Sequence, residues 1–204
     1  MKSRLCYVLL FTLLLMAPLA ATATTTTYRG SCTITFHGQK TMMKDFTGTA
    51  ACEPFEITIT DNMVRIPVIA VRVATMDTGN SKRDREMRTM FEYETFPRIT
   101  GETEAFAADR LSTPEGNLVE MPDELTFALT IRDATQTITA TVTEHHIDSS
   151  AIEATLVFDL SLASFELDPP SFMRIVRVKD NLQVRATMSL NRSPGLTRIP
   201  PAQE

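Results

Sequence analysis

The 204-residue chain has no tryptophan, only seven glycines, and only three cysteines and three histidines. Its glycines are not clustered, so it lacks the loop with which nucleotide-binding proteins cradle phosphates. It also lacks the motifs that mark common serine and zinc hydrolases. His145 and His146 are adjacent, and neighbouring strand residues point to opposite faces, so we expect these side chains to diverge. The sequence therefore predicts no enzyme activity and no metal site, with a metal-dependent hydrolase as an alternative.

The amino-terminal segment has the pattern of a secretory signal peptide. Lys2 and Arg4 precede an apolar run, and small residues follow it up to Ala23. The run is shorter than the roughly 20 residues of a membrane-spanning helix, and its Ala-x-Ala ending favours cleavage over anchoring. We therefore expect residues 1–23 to be removed, leaving a periplasmic or secreted protein with no stable membrane anchor. The proline-containing tail, residues 192–204, is expected to be disordered.

Acidic residues outnumber basic ones, 25 to 20, for a formal charge of −5. An acidic surface disfavours nucleic acid and anionic lipid surfaces. Basic residues cluster only between Lys82 and Arg88, where acidic residues are interleaved with them, so a solvated helix face is the simplest interpretation. The sequence therefore predicts no nucleic-acid partner.

Two cysteines remain after the expected leader, Cys32 and Cys52. If the segments around them form a hairpin with its turn near Met42, the two residues are direct cross-strand neighbours. Such neighbours lie about 4.5 to 5.5 Å apart, which is within disulfide range. An exported protein also meets oxidising conditions. We therefore predict a disulfide between them, with two free buried thiols or a metal site as alternatives.

Apolar and polar residues alternate in eight runs across residues 24–191, which indicates eight half-buried strands in one domain. The clearest run is 152–162, where every even position is apolar. Most runs are joined by short turns, so we predict an all-β fold, an eight-stranded antiparallel barrel, with a sandwich as the alternative. A change of parity after Pro54 predicts a bulge. Residues 171–178 are expected to form a short helix or loop.

One helix-like insertion, near residues 81–92, interrupts the strands. Ser81 is placed to cap its first turn together with Asp84, and Pro97 bars its continuation. Its apolar face would comprise Met87, Met90 and Phe91. The insertion therefore predicts a helical rim on the barrel, with these three side chains as a gate.

The inward side chains of an eight-stranded barrel either fill its centre or line a cavity for one ligand. Methionines near the rim suit a cavity, because methionine adapts to a flexible apolar guest, but they also fill ordinary packed cores, so the sequence pattern does not decide between the two. A filled core is the alternative. In a hollow barrel the lining would comprise Phe36, Phe46, Phe127, Leu129, Val142, Leu156, Phe158 and Val184. Arg83 is the candidate to contact a polar headgroup, with an ion pair to Asp84 or Glu86 as the alternative.

Several stretches resemble the YceI-like family in the same order. They are TGN, RD and FP between Thr78 and Pro97, LTIRDATQTIT at Leu129–Thr139, FDLSLASFELDPPSF at Phe158–Phe172 and VKDNLQVRATMSL at Val178–Leu190. TITFHG followed by DFTGTA, within Thr33–Ala50, also fits. The resemblance implies a lipocalin-like barrel that holds a polyisoprenoid, such as a quinone or its precursor, in an apolar tunnel. It implies a bound lipid and no catalytic cofactor.

The chain departs from the family pattern at two positions. Asp133 stands in a turn that usually carries glycine, but Asp tolerates the left-handed conformation, so we expect the turn to persist. Gly101 stands where a strand phenylalanine is usual, and its small size is expected to enlarge or reshape the tunnel. The sequence thus predicts a carrier of a long isoprenoid lipid. A barrel whose outer surface binds another protein is the alternative.

Overall fold

The computed structural model describes residues 25–40, 45–61, 63–107, 122–148, 150–168, 171–172 and 176–193. The predicted leader, and the predicted tail beyond residue 193, lie outside these residues. The strands described are β1 (Thr25–Lys40), β2 (Phe46–Ala51), β3 (Phe55–Thr60), β4 (Met63–Arg65), β5 (Ile69–Arg72), β6 (Arg98–Glu102), β7 (Phe106–Ala107), β8 (Glu124–Ile131), β9 (Ala134–Ile147), β10 (Ala151–Ser161), β11 (Ser171–Phe172) and β12 (Val176–Arg192). Helix α1 spans Ser81–Met90, and 3₁₀ turns span Val73–Thr75 and Ala163–Phe165.

The strands form one antiparallel sheet in the order β5-β6-β8-β9-β10-β12-β1-β3-β4-β7, with β2 paired to β1 and β11 to β12. The sheet curls until the end of β2 meets β5. There Thr49 and Asp77 exchange backbone hydrogen bonds of 2.7 and 2.9 Å, and Cys52 bridges Val71. We call these two contacts the seam. Eight strands, from β5 round to β2, thus form a closed ring, which confirms the predicted all-β barrel.

The structure has more strand segments than predicted because three of the predicted runs are each broken into two strands. The break between β2 and β3 is the predicted bulge. Thr33 of β1 lies opposite Ala51, whereas Gly30 lies opposite Phe55, so the second run carries one extra residue. The other breaks separate β4 from β5 and β6 from β7. Strand β6 pairs with β8, but β7 pairs with β4.

The predicted faces of the long strands are confirmed. Tyr28, Cys32 and Phe36 of β1 are buried, while Arg29, Ser31 and Thr33, on the opposite parity, are exposed. On β10 and β12 the even-numbered apolar positions are mostly buried, and β12 lies between β10 and β1 over its length. Because the side chains of a strand alternate, the three strands β10, β12 and β1 present one continuous apolar surface to the interior.

The start of α1 differs from the prediction. The cap is Asn80, whose Oδ1 accepts hydrogen bonds from the backbone N–H groups of Lys82 and Arg83, both at 3.1 Å. Ser81 is already the first helical residue, so it cannot serve as the cap. Asp84 is buried, and its carboxylate accepts hydrogen bonds from the N–H and hydroxyl of Thr78, at 3.0 and 2.6 Å. It therefore ties the preceding loop to the helix.

Two turns also differ in detail from the prediction. Residues 171–178 were expected to form a short helix or loop, but β11 pairs with Val176 and Arg177 of β12, so the described residues of this segment are extended, and residues 173–175 lie outside the described residues. The expected turn at Asp133 is present as a tight hairpin between β8 and β9, with Ile131 opposite Ala134. Its left-handed residue is Arg132, with φ of 56°, not Asp133. A positive φ at the first of two turn residues is typical of type II′ hairpins.

Candidate functional site

The interior of the barrel divides into two regions of opposite character. At one end α1, the strands and both 3₁₀ turns contribute side chains to one continuous cluster, which we call the packed end. Its buried members include Phe36, Val73, Met87, Phe91, Leu129, Ile131, Leu162, Phe165 and Val184. Phe165 and Ile131 are each only 1 % exposed. This end of the barrel is therefore filled by the protein's own side chains.

Toward the opposite end the interior holds two apolar cavities, of 120 and 70 Å³, which we call the hollow end. The larger cavity is lined by Cys32, Ile34, Cys52, Ile66, Ile69, Val71, Ile99, Gly101, Thr103, Leu125, Phe127, Leu129, Leu156, Phe158, Ala186 and Met188. The smaller one shares Ile66, Leu125, Leu156 and Met188 as walls. Apolar cavities of this order of size stay dry and bind small hydrocarbons. Together the two form a space suited to an apolar chain.

The predicted disulfide between Cys32 and Cys52 is present, and it lies at the seam. The two residues are cross-strand neighbours with a Cα–Cα distance of 5.1 Å, and the Cys52 N–H donates to the Cys32 carbonyl at 3.0 Å. Cys52 also bridges Val71 of β5. Both cysteines line the larger cavity. The disulfide therefore joins barrel closure to the wall of the cavity.

A carboxylate reinforces the seam on its outer side. The Nε of Arg98 lies 3.1 Å from both carboxylate oxygens of Glu53, and the Nε of Arg72 lies 3.6 Å from one of them. The two arginines are directly opposite each other on β5 and β6. In addition, the Glu53 N–H donates to the Ala70 carbonyl at 2.7 Å. One glutamate thus interacts with two facing cations, reduces the repulsion between them and holds β5 and β6 against the end of β2.

The predicted lining residues divide between the two regions. Phe127, Leu129, Leu156 and Phe158 line the larger cavity. The rings of Phe127 and Phe158 meet edge to face with centroids 5.5 Å apart. Val142 packs beside the cavity, against Ala140, Leu156 and Ala186. The rest, Phe36, Phe46, Met87, Met90, Phe91 and Val184, belong to the packed end or pack against it.

The three residues predicted as a gate pack at the packed end of the barrel. Met87 and Phe91 are 8 % and 6 % exposed, and both pack into the cluster of the packed end, while Met90 packs against its edge. The gate residues therefore do not border the cavities. An apolar ligand reaching the cavities past α1 would have to displace this packing.

Arg83, the predicted headgroup contact, makes three local interactions. Its Nε donates to the Thr78 hydroxyl at 2.8 Å, and its Nη2 donates to the Thr78 carbonyl at 3.1 Å. Its guanidinium lies 4.5 Å from the centroid of the Phe46 ring. These contacts replace the alternative ion pair with Asp84 or Glu86. The guanidinium thus stabilises the loop before α1, away from the hollow end.

A groove of 940 Å³ runs between β7 and β8 and adjoins both cavities. It shares Phe106 and Pro122 with the smaller cavity, Thr103 and Phe127 with the larger, and Leu125 with both. The groove exists because β8 pairs with β6 only as far as Glu102, while β7 turns away to pair with β4. Among the described residues, therefore, no strand pairing closes the wall between β7 and β8 beside the hollow end.

Thr103 lies between β6 and β7 and lines both the larger cavity and the groove. In the described part of the chain, no other residue with a hydroxyl group lines both spaces. Its Oγ1 is buried and has no hydrogen-bond partner among the described residues. Leaving a buried hydroxyl unpaired costs about 1–3 kcal/mol. Because the atom has almost no accessible surface, a ligand could pair with it only after the Thr103 side chain rotates.

Sequence reasoning missed much of the hollow end. Ile152, Ala186 and Met188 lie on the inward parity of their runs, so the alternation of the sequence could have identified them. Ile66 and Thr103 lie between strands, where the alternation is broken. No sequence signal marks those two positions, because their direction depends on how the chain leaves one strand and joins the next.

The charged groups whose pKa is clearly displaced do not line the cavities. Hydrogen bonds from Ser150, and from the N–H of Ala151, lower the pKa of Asp148 to about 2 in the turn between β9 and β10. A hydrogen bond with Glu94 raises the pKa of Tyr93.

Among the described residues, no three His, Cys, Asp or Glu side chains converge as metal ligands. In the same part of the chain, no helix is both long and apolar enough to cross a membrane.

The sequence as a whole matches a family model. The model of the YceI-like domain matches residues 21–190, which include the seam, the hollow end and all of the ring except the last two residues of β12. The chain belongs to the YceI-like family. No curated protein sequence matches this YceI-like chain at a significant level.

Solved structures resemble this YceI-like domain in fold. BcnA from Burkholderia cenocepacia is 15 % identical with a TM-score of 0.53, and the match covers 78 % of this chain and 95 % of that one. A polyisoprenoid-binding domain from Saccharophagus degradans, implicated in plant cell wall breakdown, is 11 % identical with a TM-score of 0.60. That match covers 81 % of this chain and 98 % of the other. At these identities the similarity concerns the fold.

Proposed function

We propose that this YceI-like protein is a carrier or sequestering protein that holds the apolar chain of a lipid in the hollow end and catalyses no reaction on it. The observation that carries the proposal is a pair of apolar cavities joined to an open groove. The Saccharophagus degradans relative, a polyisoprenoid-binding domain, supports an isoprenoid as the ligand class. A polyisoprenoid, or an isoprenoid quinone, is the ligand we propose.

The physical drive for binding is burial of hydrocarbon. It contributes about 0.8 kcal/mol per CH₂ group, so a few isoprene units offset the cost of association. Met188 lies on the wall that the two cavities share. Because methionine changes rotamer readily, this wall can move to let one chain occupy both spaces. The ligand would then extend along the barrel from the groove.

We propose further that the protein acts outside the cytoplasm, in the periplasm or as a secreted protein. The leader pattern of residues 1–23 supports export. The disulfide at the seam agrees with it, because structural disulfides persist in oxidising compartments.

Native mass spectrometry of periplasmically produced protein tests the carrier function. The expected result is a population heavier than the apoprotein, which releases a prenyl lipid on extraction with organic solvent. Repeated recovery of ligand-free protein, together with failure to take up added prenyl alcohols, would contradict the proposal.

Replacing Gly101 tests whether the larger cavity is the binding space. A Cβ at this position would lie 3.6 Å from the Phe127 ring, which is ordinary contact, so Gly101→Ala is the matched control. The Gly101→Phe side chain would occupy the cavity, and we expect the affinity for farnesol to fall about tenfold or more, which corresponds to at least ~1.4 kcal/mol. Equilibrium binding measures it. Unchanged binding by a folded Gly101→Phe variant would place the ligand elsewhere.

A further inference from the structure

The hollow end has no place for a charged headgroup. In the described part of the chain, the residues that line the two cavities are apolar except for Tyr28 and Thr103. An ionised group moved into such surroundings without a partner costs many kcal/mol of hydration. The headgroup of a lipid held there must therefore lie at the groove between β7 and β8, where the cavities meet solvent.

The groove carries charge of one sign. Glu102, Glu104 and Glu124 line it, and all three side chains are exposed on its outer lip. No ion pair engages any of the three among the described residues, and no Lys or Arg of that part of the chain lines the groove. Three carboxylates that have no ion-pair partner in the described part of the chain, beside a low-dielectric space, produce a negative local potential.

We propose that this groove is the headgroup site, and that it selects lipids whose headgroup is uncharged or cationic while it rejects phosphate and other anions. The inference rests on the proposed carrier function and specifies its ligand class. Thr103 supplies the positive recognition, because it lines both the groove and the larger cavity, and its buried, unpartnered Oγ1 can donate to or accept from a hydroxyl, carbonyl or amine once its side chain rotates toward the groove. The three glutamates supply the discrimination.

The cations of α1 do not offer a competing site for an anionic headgroup. Arg83 is held by Thr78 and the ring of Phe46 at the packed end. The packed cluster of Met87 and Phe91 separates this helix from the cavities. A lipid phosphate placed near α1 would therefore leave its chain without access to the hollow end.

Three probes with the same chain and different headgroups test the selection: farnesol, farnesylamine and farnesyl phosphate. Each would be titrated against the full mature protein at pH 7, with displacement of Nile red as the readout. We expect farnesol and farnesylamine to bind, and farnesyl phosphate to bind about tenfold more weakly or worse at low salt. Higher salt should narrow the gap, because the groove is open to solvent.

The glutamates are tested by a triple variant, Glu102→Gln, Glu104→Gln and Glu124→Gln. We expect its affinity for farnesyl phosphate to rise about tenfold, while its affinity for farnesol stays within about twofold. Glu153→Gln is the matched control, since Glu153 is exposed on the outer face of β10 and lines neither cavity nor groove. It should leave all three affinities unchanged.

Thr103→Val tests the hydrogen bond with almost no change of shape. We expect farnesol to bind the variant about threefold to tenfold more weakly, in line with one lost hydrogen bond, while the hydrocarbon farnesene binds it unchanged. Equal losses for both ligands would mean that the substitution disturbs the cavity and that the hydroxyl does not recognise the headgroup.

The outcomes separate this inference from the carrier function. If the wild-type protein binds farnesyl phosphate as tightly as farnesol, the headgroup proposal is overturned and the carrier function stands. That comparison needs no variant, so it holds even if the triple variant does not fold. If none of the three probes binds, both proposals fail.

Discussion

The packed end and the hollow end are built from the same strands with the same alternation of side chains, yet only one of them is filled. At the packed end, Met87 of α1, Phe91 directly after that helix and Phe165 of a 3₁₀ turn reach into the barrel from outside its wall. At the hollow end only the strands and the short connections between them contribute, and Gly101 and Ala186 are among the lining residues. An eight-stranded wall therefore does not fill its own centre, and the added elements decide where a cavity remains.

The two regions also differ in how they are held together. The packed end relies on burial of large apolar side chains. Around the larger cavity of the hollow end, the disulfide of Cys32 and Cys52 and the contacts of Glu53 with Arg72 and Arg98 hold the wall closed. Cross-links of this kind keep a cavity open, because they stabilise the wall without occupying the space behind it.

The largest effect should come from truncating a matched residue in each region. Ile131→Ala at the packed end removes a side chain that is 1 % exposed, and we expect a loss of about 4–5 kcal/mol of unfolding free energy. Ile152→Ala should cost about 2–3 kcal/mol, because Ile152 already borders a cavity and makes fewer contacts. Urea denaturation measures both. Equal losses would mean that the two ends are packed alike.

A smaller effect is expected from opening the disulfide. The double variant Cys32→Ala, Cys52→Ala frees a loop with a sequence separation of 20, and we expect it to lose about 3 kcal/mol of stability. Chemical denaturation without reductant measures the loss. Added reductant should destabilise the wild-type protein to a similar extent and leave the double variant unchanged. A wild-type protein indifferent to reductant would show that the seam does not depend on the disulfide.

The smallest effect concerns the turn between β9 and β10, beside Ile147 and Ile152 of the smaller cavity. Hydrogen bonds from Ser150 lower the pKa of Asp148 to about 2, from an ordinary value of 3.8. Because the folded-state pKa is the lower one, the stabilisation is present above about pH 4 and is lost as the pH falls through about 2.

Asp148→Asn should therefore destabilise the protein slightly at pH 6, and the difference from wild type should vanish below pH 2. Denaturation at a series of pH values measures the difference, and a carboxyl NMR titration gives the pKa directly. In the same titration Ser150→Ala should raise the pKa of Asp148. An unshifted value in that variant would mean that the hydroxyl does not hold the carboxylate.

Much of the fold follows from local patterns. The alternation along 152–162 predicted the buried face of β10, and the parity change after Pro54 predicted the bulge between β2 and β3. The hairpin register predicted the pairing of Cys32 with Cys52. Such features depend on the chain geometry of a few residues, so the sequence contains them directly. The cap of α1 was misplaced by one residue because Asn80 and Ser81 are both good capping residues, and only the backbone decides between them.

The candidate site was predicted only in part, and a comparison of the packed end with the hollow end shows why. Phe127 and Phe36 both lie on inward faces, but Phe127 lines a cavity whereas Phe36 is packed. The sequence by itself determined which side chains point inward, since this depends on the two-residue period of a strand. The tertiary structure alone decided which of them meet other side chains and which face empty space. That outcome depends on where α1 and the 3₁₀ turns pack against the barrel, and on the pairing of β7 with β4. Both depend on contacts between residues that are far apart in the chain.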